Sequence, residues 1–156
     1  ALAPKSIAEW AQSRGLPFIH FSTDYVYDGS GSAPHRETDP LQPLNTYGLS
    51  KAEGDRAIEQ TGGRFAILRT SWVFDSKGRN FPRTILRLAE TQNTLRIVND
   101  QWGSPTYAAD LAGVVKEILS RGMSQSVFPS GVYHACSQGE THWFGLAQAV
   151  LTLAVE

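Results

Sequence analysis

Two short apolar runs constrain this chain most, because each breaks off into small hydroxyl-bearing residues and each follows a helical pattern. Leu16-Pro17-Phe18-Ile19-His20-Phe21 ends in Ser22-Thr23-Asp24, and Phe65-Ala66-Ile67-Leu68-Arg69 ends in Thr70-Ser71-Trp72. Apolar runs of this length bounded by turn residues predict buried strands. Ahead of the first, Ile7, Trp10 and Ala11 fall at helical spacing from Lys5 to Arg14, with Pro4 allowed in the first turn and Gly15 as the stop. Between the two, helix signals start at Asn45 and stop at Gly62-Gly63. Strands alternating with helices specify βαβ units and a parallel sheet. Ligands of such open sheets bind beyond the carboxyl ends of the strands, which is where the two hydroxyl clusters fall.

The rest of the chain follows the same alternation. A loop from Tyr27 to Pro43 is rich in Gly, Ser, Pro, Asp and Thr, and loops of that length are often functional. Phe81, Ile85, Leu88 and Ala89 mark a helix, Leu95-Arg96-Ile97-Val98 a third strand, and Asn99 to Thr106 a polar loop containing Trp102. Ala108 to Ser120 carries an apolar stripe at Leu111, Val114, Val115, Ile118 and Leu119. Gly131 to Ala135 predicts a fourth strand and Thr141 to Val155 a last helix, with Thr141 as its N-cap. No repeat, low-complexity stretch or linker interrupts the 156 residues. Missing from the sequence is a Gly-rich turn after an amino-terminal strand, the usual cradle for a dinucleotide pyrophosphate.

Charge and composition narrow the partners. Fourteen Lys plus Arg against fifteen Asp plus Glu leave a net charge of -1, so there is no basic footprint for nucleic acid. The single cysteine, Cys136, forms no internal disulfide and reads as a small buried hydrophobe beside a strand. No apolar run has signal or membrane length, and a cytoplasmic, soluble chain is the expectation. His20, His35, His134 and His142 lack metal-ligand spacing, so no metal is expected, and His20 reads as a core or edge residue.

Tyr47 and Lys51 stand four apart at the start of the second helix, which places both side chains on one face. A free tyrosine titrates near about 10, too high for efficient proton exchange at neutrality. An ammonium ~4 Å away favours the phenolate by roughly 4 kcal/mol at an effective dielectric near 20, or up to ~3 pKa units. Tyr47 could then pass a proton to a carbonyl oxygen as a hydride reaches its carbon. Thr23, with Ser22 behind it, is the best-placed second donor to that oxygen. The bland alternative is a solvated helix face with a snorkelling lysine, and only the convergence of the two strand ends weighs against it.

Ser22-Thr23-Asp24-Tyr25-Val26-Tyr27-Asp28-Gly29, Tyr47-Gly48-Leu49-Ser50-Lys51, Leu68 to Phe74, Asn99 to Thr106, Gly131 to His134 and Gly139 to Trp143 occur in one order. Together they resemble the dTDP-4-dehydrorhamnose reductase family of extended short-chain dehydrogenase/reductases. The resemblance implies a Rossmann-like parallel sheet with flanking helices plus part of a small substrate-binding region. It implies NADPH- or NADH-dependent reduction of the 4-keto group of dTDP-4-dehydrorhamnose to give dTDP-L-rhamnose. Tyr47 matches the proton donor, Lys51 the residue that tunes it and binds the nicotinamide ribose, so that Tyr47 and Lys51 are both cofactor-binding candidates, and Thr23 the hydroxyl that orients the keto oxygen. Asp24 and Trp72 match positions lining the sugar site, and Asn80 and Gln101 lie in motifs on the nucleotide-sugar side.

Measured against the family pattern, residues 1–156 correspond to the catalytic and substrate-side portion of a reductase. The amino-terminal nucleotide-binding strands and the carboxyl-terminal end of the substrate domain lie outside it. Such a segment is expected to bind NADPH weakly and turn over poorly by itself. It is also expected to leave a sheet edge open to association with another chain, including a second copy. Two alternatives share the resemblance: a nucleotide-sugar epimerase or 4,6-dehydratase, and a non-catalytic regulatory subunit like the beta subunit of methionine adenosyltransferase. Ser22-Thr23-Asp24 lacks the Asp-Glu pair that 4,6-dehydratases commonly carry, which favours plain reduction. Intact Thr23, Tyr47 and Lys51 favour catalysis.

Overall fold

The computed structural model describes residues 2–124 and 127–154. The chain packs as two compact units, the first comprising residues 1–70 and 113–135 and the second residues 71–112 and 136–156.

The first unit is built on a three-stranded parallel sheet in the order β1 (Phe18–Thr23), β2 (Phe65–Thr70), β6 (Gly131–His134). Register is continuous: Phe18 pairs with Phe65 and Thr23 with Thr70, while Ala66 pairs with Gly131 and Arg69 with His134. The two hydroxyl clusters therefore end side by side, as the matching run lengths predict. Helices α1 (Leu2–Ser13) and α2 (Thr46–Thr61) cover one face, where Ala8, Ile58 and Ile67 are buried together and Phe18, Phe65 and Val132 pack around them. Burying such side chains contributes ~1.5–3 kcal/mol each for the larger ones, so this cluster holds the helices to the sheet.

Both helices stop where the sequence says. Gly15 and Gly62 adopt left-handed φ of 65° and 68°, a conformation only glycine takes without strain, and Gly62 is the C-cap of α2. Asn45 caps the other end, its Oδ1 accepting the Gly48 N–H at 2.7 Å. Among the described residues β1 has no second neighbour, and Phe21 and Leu16 are partly exposed near that edge.

The second unit is made of smaller pieces. Strands β3 (Val73–Phe74) and β5 (Thr106–Tyr107) pair in parallel, and β4 (Trp102–Gly103) pairs antiparallel with β7 (Thr141–His142). Helices α3 (Phe81–Ala89) and α5 (Trp143–Leu153) pack on one another. Helix α4 (Ala108–Ser124) begins in this unit and continues into the first.

Four expectations change here. Leu95 to Val98 is not a strand: Leu95 and Ile97 alternate with exposed Arg96 and Val98 as in an extended segment, but no ladder forms and the Val98 carbonyl is taken by the Phe144 N–H. The polar loop before residue 107 contains two strands of two residues each. The last helix starts two residues later than predicted, because Thr141 and His142 both belong to β7 and His142 is the cap, with Nδ1 accepting the Gly145 N–H at 2.9 Å. Val155, the predicted end of that helix, lies outside the described residues. Cys136 follows β6 by two residues and is exposed rather than buried.

Candidate active site

The carboxyl end of β1 turns directly into a single 3-10 turn, Asp24–Val26, and this turn gathers the candidate residues of the first unit. Thr23 is buried, and its hydroxyl proton is already engaged: Oγ1 donates to Asp24 Oδ1 at 3.0 Å and accepts the Tyr25 N–H at 3.3 Å. Burial pushes the Asp24 carboxyl above the usual range, while the Thr23 hydroxyl and nearby backbone N–H groups oppose the shift. Any other acceptor that takes the Thr23 hydroxyl proton must therefore draw it away from Asp24.

Tyr47 sits in the first turn of α2, 55% exposed, with its ring edge-on to Tyr25 at 5.9 Å between centroids. That approach depends on Gly48. A Cβ on Gly48 would lie 2.1 Å from the Tyr25 carbonyl oxygen and 3.0 Å from Pro43 Cβ, so the helix start rests directly on the turn that carries Thr23. Both neighbours are backbone or ring atoms that cannot swing aside. Gly48→Ala is expected to cost ~1–3 kcal/mol of stability as the helix start is levered off the turn. Urea unfolding checks this, and an unchanged midpoint would show that the turn yields freely.

Lys51, one turn further along α2, sends its ammonium back to β1. Nζ donates to the Phe21 carbonyl at 2.5 Å and lies 3.3 Å from His20 Nε2. Burial lowers the Lys51 pKa, and the Asp55 carboxylate opposes that. Asp55, a further turn along the same face, is fully buried. Its Oδ2 accepts from Ser22 Oγ at 2.9 Å and from Arg69 Nε at 3.2 Å. Arg69 in turn donates to the Tyr27 hydroxyl at 2.7 Å and the Glu37 carbonyl at 3.0 Å. Tyr27 Oη meets His134 Nε2 at 2.8 Å, and Glu37 Oε1 accepts the His134 N–H. The long loop after Tyr27 is thus tied to the ends of β2 and β6.

Sequence reasoning missed this charged layer. Asp55 falls four residues after Lys51 and eight after Tyr47, so its face was predictable; it stayed hidden because Glu53, Asp55 and Arg56 together resemble a solvated stretch. His20 shares a strand face with Ser22, which was the available signal for it.

Trp72, Asn80 and Gln101 belong to the second unit. Trp72 has a φ of 46°, rare for a bulky residue, and its indole stacks on Trp143 at 3.6 Å between centroids. A Cβ on Gly103 would fall 2.6 Å from the Trp72 ring, so Gly103 leaves the indole its place. Asn80 caps α3: Oδ1 accepts the Arg83 N–H, and Nδ2 donates to the carbonyls of Asp75 and Lys77. It has no spare N–H for a ligand. Gln101 is exposed beside β4, and Trp102 lies edge-on to His142 at 4.8 Å. Among the described residues no cluster of three His, Cys, Asp or Glu could hold a metal ion, and no helix is long and apolar enough to cross a membrane.

The family described as the RmlD substrate binding domain matches residues 1–156. A dTDP-4-dehydrorhamnose reductase of Burkholderia thailandensis is 47% identical over 137 residues, covering 86% of this chain and 46% of that protein. One of Salmonella typhimurium is 39% identical over 150 residues, covering 96% of this chain and 50% of that protein. In structure, the dTDP-4-dehydrorhamnose reductase of Bacillus anthracis, solved in complex with NADP, superposes with a TM-score of 0.91 at 31% identity, over 99% of this chain and 54% of that one. The chain spans about half the length of these relatives.

Proposed function

This chain belongs to the RmlD substrate binding domain family, and on that premise we propose that residues 1–156 form the catalytic and substrate-side portion of a dTDP-4-dehydrorhamnose reductase. The reaction is reduction of the 4-keto group of the dTDP-sugar to the hydroxyl of dTDP-L-rhamnose, with NADPH or NADH as reductant. The observation that supports the reading is that Thr23, Tyr47 and Lys51 each attach to the end of β1 or to the turn that follows it. Thr23 bonds the Tyr25 N–H, Tyr25 packs on Tyr47, and Lys51 is anchored two residues before Thr23 at Phe21.

The residues present fit one end of a nicotinamide cofactor. An exposed phenol and an ammonium with a third N–H beyond its bonds to Phe21 and His20 suit a ribose, whereas the sequence has no Gly-rich turn after an amino-terminal strand to hold the pyrophosphate. The cofactor, when bound, supplies the hydride. Tyr47 gives its phenolic proton to the keto oxygen, Thr23 turns its hydroxyl from Asp24 to the same oxygen, and Lys51 supports the phenol. In the first unit Asp24 is the residue proposed to meet the sugar, and within the second unit Asn80 acts by fixing the start of α3.

The test is turnover of dTDP-4-dehydrorhamnose with NADPH by the full-length protein, with dTDP-rhamnose identified as product. Thr23→Val is expected to lower kcat by ~10²-fold, the usual cost of losing one donor to a developing oxyanion. Formation of a different sugar, or no reduction at all, would sink the assignment.

A further inference from the structure

An ammonium has three N–H groups and no lone pair, so a group within hydrogen-bond distance of it must accept. Lys51 Nζ has two such neighbours, the Phe21 carbonyl and His20 Nε2 at 3.3 Å. His20 therefore turns a lone pair toward Lys51 and keeps its ring proton on Nδ1. Asp55 Oδ1 lies 3.9 Å from that same Nε2. This oxygen is buried without a hydrogen-bond partner, while Oδ2 takes both Ser22 and Arg69. A buried carboxylate oxygen in that state depends on nearby positive charge for compensation.

We propose that His20 is a positioning residue for Lys51: its Nε2 lone pair fixes the ammonium at the end of β1, and the buried Asp55 carboxylate behind it keeps that ammonium charged. This rests on the role given to Lys51 above and deepens it. The charged groups facing His20 are Lys51 and Asp55 from α2 and, through Asp55, Arg69 from β2, with the Ser22 hydroxyl of β1 on the same carboxylate. Burial and then the Lys51 charge hold the His20 pKa below the ordinary 6.5, with Asp55 opposing. The site is therefore neutral at His20 around pH 7. Acid protonates it, removes the acceptor and sets a second cation 3.3 Å from Nζ, so Lys51 is released as pH falls through the folded-state pKa.

One measurement needs no cofactor. Nitrogen NMR of histidine-labelled full-length protein, with the His20 signal assigned by its loss in His20→Gln, should show Nε2 unprotonated at neutral pH. In Lys51→Met the His20 pKa should rise, because a neighbouring cation is gone. A proton on Nε2, or a titration unmoved by Lys51→Met, overturns the proposal. The second measurement is the pH profile of kcat. His20→Gln places a non-titrating acceptor near the same position and should keep most neutral turnover while losing the acid decline of the wild type. His20→Leu should lose about tenfold or more in kcat with little change in KM. An acid limb retained in His20→Gln also overturns it. Should Lys51→Met turn over normally, the role of Lys51 in the proposed function fails, whereas the tautomer and titration results still judge His20 separately.

Discussion

Tyr47→Phe in the full-length protein is expected to lower kcat for keto reduction by ~10²–10⁴-fold, the range in which a positioned general acid acts. Cofactor affinity should fall far less than kcat, because the deletion removes one hydroxyl while the Lys51 ammonium and the edge-on packing of the ring against Tyr25 stay in place. The loss should also exceed that of Thr23→Val, since Thr23 stabilises charge while Tyr47 delivers the proton. Steady-state turnover together with a direct cofactor-binding titration checks both halves. Undiminished turnover would place the proton on another group. A parallel collapse of cofactor binding would instead make Tyr47 a binding residue alone.

Why this site could be read from the sequence, while its support could not, is a matter of which signals are local. Tyr47 and Lys51 are related by helix periodicity, and Asn45 and Gly62 bound that helix through rules that act within a few residues. The run before Thr70 is apolar because it is buried in the sheet, and the half-buried run before Thr23 pairs with it along its length, so both ends were visible too. The second unit offers less. Its four strands are two residues long, below the length at which alternation can be detected, and Leu95 to Val98 has strand composition with no partner edge. The cap falls on His142 and not Thr141 because the β4–β7 pairing keeps the chain extended through both residues, a tertiary fact. The positive φ of Trp72 is likewise invisible in composition; it becomes intelligible only beside Trp143 and Gly103.

The charged layer under the site leads to the second large effect. Asp55 and Arg69 are a buried pair, with side chains 0% and 3% exposed, and each is hydrogen-bonded to further groups. Removing one partner strands the other charge without water, so Arg69→Met is expected to destabilise the fold by ~3–5 kcal/mol. The arginine also bonds Tyr27 and the Glu37 carbonyl, so its loss should loosen the loop after Tyr27 before global unfolding, seen as faster amide exchange there. Asp55→Leu alone should cost a similar amount. The double variant should be less destabilised than the sum of the two, because neither charge is then left unpaired. Urea midpoints for the two single variants and the double give the coupling directly. Simple additivity would mean that the two side chains act independently. The support for Lys51 would then come from its hydrogen bonds to Phe21 and His20 and not from the paired charge behind them.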